Sequence, residues 1–353
     1  MSPTFEKRRR PEKRRGAARI KEVARLASVS TATVSRALTT PERVSPATRT
    51  RVMDAVAKVG YVPNPAARSL RSRKSHMVLV VLPDVSNIFF SQVLGGIEEE
   101  LSAAGYGMVI GNLDGSPEKE ARLSAFASSG QVDGVLLLNG HLFRQSEDPG
   151  APPADLAIPV VAVCEAIEGA GIPQIDANNC EAACRMTEYL AGLGHEAIGY
   201  VCGPAENVLE RERFRGYRQG LEKAGRPLDP AFVWPGDYKL ETGFRIAKQI
   251  VAADRRPTAV FCSNDEMAIG LIRGLGSSGI AVPGDIAVAG FDDIEFAEMT
   301  SPALTTIRQP RRELGRSGAS VLLKLMRGQT PPRRIRLDTE LIERDSTAGP
   351  RRR

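Results

Sequence analysis

The sequence predicts an N-terminal all-α helix-turn-helix headpiece and hinge helix, followed by an α/β body of two lobes built on doubly wound parallel sheets. Three observations predict it. Apolar residues recur at helical spacing from Ile20 to Val59, positive charge is concentrated at the N-terminus, and two successive series of strand-like apolar runs alternate with helical stretches. At 353 residues the chain is long enough for two or three domains of roughly 150 residues. Its 42% hydrophobic and 25% charged residues single out no unusual class.

The charge distribution is more specific. From Met1 to Ser75 there are 19 Lys and Arg against 5 Asp and Glu, a net of +14; the remainder carries 29 and 37, a net of −8. A basic head on a mildly acidic body suits a polyphosphate partner, which attracts the one and repels the other. The five cysteines are odd in number and lack zinc-ligand or CxxC spacing, so reduced thiols are expected, with no metal and no cofactor. The opening MSPTFEKRRRPEKRRG has no apolar core after its charges, and no apolar run approaches a membrane span. A cytoplasmic, nucleoid-associated protein is expected.

Residues 1–18 read as a disordered basic arm and 19–62 as the headpiece. Ile20, Val23, Ala24 and Ala27 form one helical face. Ser28-Val29-Ser30 interrupts it, and Ser30 is suited to cap a second helix, Thr31 to Leu38, that buries Val34 and Leu38 and leaves Thr31, Ala32, Ser35 and Arg36 outward. A third helix runs from about Ala47 to Val59 with Val52, Val56 and Val59 inward, and Gly60 stops it. In the hinge, 63–75, Asn64 caps a one- or two-turn helix that is too short to be stable alone.

Strands are expected at Met77–Leu82, Gly107–Gly111, Val132–Leu138 and Val160–Val163, then at Ala197–Cys202, Ala259–Cys262 and Ile286–Ala289, with helices between. A final helix, about Arg311 to Arg327, precedes one strand, about Arg334 to Ile342. The first lobe is expected at about 76–176 and 306–329, the second at about 177–305 and 330–345, and a disordered tail at 346–353.

The stretch IKEVARLASVSTATVSRAL, followed by YVPN and LRS, resembles the LacI family of bacterial transcriptional regulators. The resemblance continues through PDVSNIFF, HEAIGYVCGP, RFRGY, PTAVFCSNDEMAIG, VPGDIAVAGFDD and PALTTIRQP, over about residues 19–345. Within the family the run VSTATVSRAL and the PD…FFS, VDG, LLL and GP…G segments are most similar to the cytidine-repressor subfamily. The resemblance implies a homodimer on a nearly palindromic double-stranded operator, its affinity controlled by a small molecule held between the lobes. It places Thr31, Ala32 and Arg36 on base edges, where Arg36 can pair with guanine and Ala32 and the Thr31 methyl suit a thymine methyl. Thr33 and Ser35 fit phosphate contacts. In the hinge it puts Asn64, Ala67 and a wedging Leu70 in the minor groove. Two positions depart from the family pattern: Arg19 replaces a helix-capping Thr or Ser, and Ser28 replaces a turn glycine.

Family positions lining the effector cleft fall on Phe89, Phe90, Asn207, Arg213, Tyr238, Asn264 and Asp292. Asp292 and Arg213, at a lobe edge, can bind adjacent hydroxyls, Phe89 or Tyr238 can stack on a base or sugar face, and Phe90 fits plain core equally well. Purine-sensing relatives carry Asp-Trp where Cys164 and Glu165 stand and arginine in place of Asn207, which disfavours a purine. Glu165 could accept from an exocyclic amine. The expected effector is a nucleoside such as cytidine, or a pentose or other sugar. An activator remains open, as does a sugar-binding protein without regulatory role. Catalysis is not expected: GxGxxG, GxxxxGK[ST] and GxSxG are missing, and Asp292-Asp293 are neighbours that rarely face one substrate.

Overall fold

A computed structural model describes residues 20–61, 74–143 and 156–348. The basic arm, Arg19 and the hinge positions Asn64, Ala67 and Leu70 lie outside the described residues. The chain divides into two units, Met1–Lys74 and Ser75–Arg353.

The first unit is built on helices α1 (Ile20–Leu26), α2 (Thr31–Thr39) and α3 (Pro46–Val59). Ser30 Oγ accepts from Thr33 N at 3.1 Å and Ser45 Oγ from Thr48 N at 3.4 Å, so serines cap both longer helices. Gly60, at φ +63°, takes the left-handed turn that ends α3. Val23, Ala24, Ala27, Val34, Ala37, Val52 and Ala55 form the core. Leu38, Val56 and Val59 are only half-buried, because three short helices cannot enclose every apolar position.

The body continues with β1 (Met77–Leu82), α4 (Phe89–Ala103), β2 (Gly107–Asn112), α5 (Pro117–Ser128), β3 (Gly134–Leu137), β4 (Val160–Cys164) and β5 (Gln174–Ala177). The second series is α6 (Asn179–Gly192), β6 (Ile198–Val201), α7 (Val208–Lys223), β7 (Val233–Trp234), α8 (Leu240–Ala252), β8 (Ala259–Cys262), α9 (Asp265–Ser277) and β9 (Ala287–Ala289). Then come β10 (Thr306–Arg308), α10 (Arg311–Met326), β11 (Arg334–Leu337) and β12 (Glu340–Ile342).

In the first lobe six strands run parallel in the order β11-β5-β4-β3-β1-β2, and in the second four run parallel as β7-β6-β8-β9. Burial on both faces explains the unbroken apolar runs. Val78, Val80 and Leu82 of β1 join the core with α4 and α10, while Leu79 and Val81 join a second one with Ala127 of α5. In β8, Val260 and Cys262 pack with α8 and α9, and Ala259 and Phe261 with α6 and α7.

The C-terminal quarter corrects three expectations. The single strand from 334 to 342 is two strands in different sheets: β11 pairs with β5 in the first lobe, β12 antiparallel with β10. The break at Thr339 is held by side chains, with Thr339 Oγ1 donating to Asn178 Oδ1 at 2.8 Å and accepting from Arg185 at 2.8 Å. Residues 334–337 therefore belong to the first lobe. Conversely, Thr306–Arg308 belongs to the second, where Ile307 packs with Tyr200 and Phe291. Finally, Ser346 is fully buried. Its Oγ accepts from Thr305 N and donates to Val288 O, satisfying backbone groups that would otherwise be stranded, so 346–348 is packed rather than a disordered tail.

Candidate functional site

On the headpiece, α2 sends Val34 and Ala37 inward and keeps Thr31, Ala32 and Arg36 exposed, with Thr33 and Ser35 half-buried. Thr33 Oγ1 lies 3.0 Å from Ser30 Oγ, so a hydroxyl expected on phosphate is tied to the cap. The exposed face offers a guanidinium, a methyl and a hydroxyl, the groups that read guanine and thymine edges in a major groove.

In the body, residues just past the carboxyl ends of β1, β4, β6, β8 and β9 line a cavity of about 180 Å³. This is where a doubly wound sheet offers its ligand crevice. All eight positions expected at an effector line it, but their polar groups are not all free. Asn207 caps α7, its Oδ1 accepting from Leu209 N at 2.8 Å and Glu210 N at 3.4 Å while Nδ2 donates to Glu165 Oε1 at 3.2 Å. Asn264 caps α9 through Met267 N at 3.0 Å and donates to the Tyr238 carbonyl at 2.9 Å. Both asparagines hold protein atoms in place.

Arg213 is also committed. Its Nε donates to Asn179 Oδ1 at 3.0 Å, NH1 to the Ser263 carbonyl at 2.5 Å and NH2 to Asp292 Oδ1 at 3.4 Å, and the guanidinium lies 3.9 Å over the Phe291 ring. Arg213 is 2% exposed and Asp292 4%, so the pair is buried where it lines the cavity. Asp292 Oδ1 further accepts from Gln309 Nε2 at 2.7 Å, whereas Oδ2 has no hydrogen-bond donor among the described residues. Phe89 and Phe90 open α4 edge to face at 5.2 Å and belong both to the first-lobe core and to the cavity wall.

Burial governs the cavity's electrostatics. It raises the Glu165 carboxyl to about 7 against the pull of the Asn207 amide and Arg213. It raises Glu266 to about 7 as well, helped by the charges of Asp292 and Asp84. Asp292 is pushed up by burial, although Arg213 and Gln309 oppose the shift. Left-handed backbone is concentrated at the same place: Cys164 at φ +69°, Tyr238 at +66° and Asp292 at +120° all line the cavity. Each such residue costs about 1–3 kcal/mol, which surrounding structure must offset.

Glu266, Asn179, Ser263 and Gln309 escaped the sequence reading as site residues. Glu266, Ser263 and Gln309 lie inside motifs that were recognised, so proximity was the available signal. Asn179 carried none, because its tie to Arg213 spans 34 residues.

A headpiece exposing one helix face and a two-lobed body closing on a polar cavity define a ligand-responsive DNA-binding regulator. Residues 19–64 match the model for bacterial regulatory proteins of the lacI family, and residues 187–347 match the periplasmic binding protein-like domain. The chain is 39% identical over 340 residues to the HTH-type transcriptional repressor CytR of Escherichia coli, covering 95% of this chain and 98% of that protein. It is 34% identical over 330 residues to the repressor PurR of Vibrio cholerae, covering 93% and 98%. Among solved structures, the lac repressor dimer bound to operator and the anti-inducer ONPF superposes with a TM-score of 0.84 at 27% identity, covering 94% of this chain and 99% of that one. The regulator CelR in complex with cellobiose gives 0.71 at 31%, covering 94% and 100%. The chain belongs to the lacI family of bacterial regulatory proteins. Its relatives are transcriptional repressors rather than enzymes, and among the described residues no helix is long and apolar enough to cross a membrane.

Proposed function

We propose that the chain is a homodimeric repressor that binds a nearly palindromic operator in the cytoplasm, with DNA affinity set by a nucleoside, cytidine foremost, in the cavity between Glu165 and Asp292. The observation that carries this reading is the cavity itself. Eight positions scattered from Phe89 to Asp292 converge there, three of them aromatic, beside carboxylates; of the cations among the described residues that line it, Arg213 is committed to protein partners and Lys239 is the other. The exposed face of α2 carries the DNA half: Arg36 to guanine, Thr31 and Ala32 to thymine methyls, Thr33 and Ser35 beside the backbone, with Asn64, Ala67 and Leu70 assigned to the minor groove.

The coupling needs only a difference in affinity. A ligand that prefers one arrangement of the lobes biases whatever the lobes transmit to the hinge, and an inducer and a corepressor differ in its sign. Purified protein should gain thermal stability from cytidine and should change its operator affinity in a gel-shift titration when cytidine is added. Asp292→Ala should abolish both responses. If no nucleoside stabilises the wild-type chain, the effector assignment is wrong.

A further inference from the structure

Glu165 is the least explained polar group in the cavity. It stands just after β4, is 4% exposed, and yet keeps one oxygen unengaged. Oε1 accepts from Asn207 Nδ2 at 3.2 Å, and Oε2 has no hydrogen-bond donor among the described residues. Gly140, at φ +73°, leaves room for it: a Cβ there would sit 2.5 Å from Oε2. Since Asn207 Oδ1 is consumed by the α7 cap, the Asn207 amide can only donate toward Glu165. Oε1 is thereby fixed as an acceptor, and a proton on this carboxyl resides on Oε2. The result is a donor beside an acceptor, facing the cavity.

On the reading that the cavity binds a nucleoside, we infer that Glu165 reads the base, pairing as a neutral carboxylic acid with the ring-nitrogen and exocyclic-amine edge of cytosine while Asn207 orients it. Oε2–H donates to the ring nitrogen N3, and Oε1 accepts from the amine at C4. Uracil reverses that edge, so its N3–H would face the Oε2–H donor and its C4 carbonyl would face the acceptor Oε1, leaving both unpaired. Such a mismatch inside a buried site costs about tenfold or more in affinity.

Other groups bear on the same carboxyl. Arg213 of α7 favours its ionisation, and the Cys164 thiol and Tyr238 phenol lie close by. Glu266 of α9 and Asp292, past β9, add negative charge on the second-lobe side of the cavity; Asp84 and Asp237 line it as well, and Lys239 is of opposite sign. Burial outweighs these influences and places the Glu165 transition at about 7. Cytidine affinity is therefore highest below that pH and falls by about tenfold for each further pH unit above it, as the donor is lost.

Calorimetric titration of the full chain with cytidine and with uridine, at pH 6 and pH 8.5, tests the inference. The wild-type chain should prefer cytidine by about tenfold or more at pH 6 and bind it about tenfold or more weakly at pH 8.5. Glu165→Gln, whose amide supplies the same donor and acceptor at every pH, should keep the preference and flatten the pH profile. Glu165→Ala should lose the preference. Equal affinity for cytidine and uridine in the wild-type chain overturns the inference without recourse to any variant. So does a pH dependence that persists in Glu165→Gln, which would assign it to Glu266. If the wild-type chain binds neither nucleoside, the effector reading itself fails, and this inference falls with it.

Discussion

Among the described residues, left-handed backbone at non-glycine positions occurs both at the cavity and away from it, as at His76, Asp114 and Ser28. Cys164, Tyr238 and Asp292 adopt left-handed backbone at the cavity, where unusual dihedrals aim side chains that a relaxed strand end would direct elsewhere. Ser28 adopts φ +52° in the turn between α1 and α2, far from any such demand. Its neighbours explain the conformation: Val29 N bonds to Ala24 O and Ser28 N to Arg25 O, closing α1 with a turn that glycine would enter without a Cβ penalty. Ser28→Gly should therefore stabilise the headpiece by about 1 kcal/mol, the relief of left-handed strain less the flexibility gained by the unfolded chain. Urea unfolding of the headpiece, compared between the two chains, measures it; an unchanged or lower midpoint would show that Ser28 makes compensating contacts.

At the scale of elements, strands and helices are held by groups distant in sequence. His195, in the turn between α6 and β6, is fully enclosed. Its Nδ1 lies 3.0 Å from Thr258 Oγ1, ahead of β8, and Nε2 lies 2.7 Å from the Ala348 carbonyl, so one imidazole ties a turn, a strand and the C-terminal segment. Burial lowers its affinity for a proton, although the Ala348 carbonyl pulls the other way. The unfolded chain takes up that proton near the ordinary value of roughly 6.5, while the native imidazole stays neutral. Its contribution is thus complete above that pH and is lost as the pH falls below it. Glu165 and Glu266, raised to about 7, act in the opposite direction as the pH falls, so the test is a difference: between pH 7.5 and pH 5.5 the melting temperature of His195→Gln should rise relative to that of the wild-type chain. An identical pH profile in the variant would show that His195 contributes nothing to the pH dependence of stability.

Across the whole molecule, charge is divided as sharply as fold. The first 75 residues carry a net of +14 and the rest −8, so attraction to DNA is concentrated in one unit and counterbalanced in the other. If phosphate contacts supply most of the affinity, the logarithm of the operator binding constant should fall linearly with that of salt, with a slope of about −0.9 per phosphate neutralised. For about six contacts, raising salt from 50 to 200 mM should cost about three orders of magnitude. Fluorescence anisotropy on a labelled operator would measure the slope, and a flat line would refute electrostatic dominance.

Periodicity and charge in the chain itself determined the headpiece, its Ser30 cap and the alternating series of the two lobes, and the resemblance to the LacI family marked the eight positions that meet at the cavity. Those features are written locally, in spacings of two to four residues or in motifs with a recognisable order. The tertiary structure alone decided three things. It divided residues 334–342 between two sheets, because a strand's pattern records which face is buried but not which neighbour it pairs with. It packed Ser346 to Ala348, because their value lies in satisfying backbone groups 41 to 58 residues away. And it showed that Arg213, Asn207 and Asn264 already have partners, leaving Glu165 Oε2 and Asp292 Oδ2 without donors among the described residues. A residue's type states what bonds it can make; only the packed chain states which of them are still unmade.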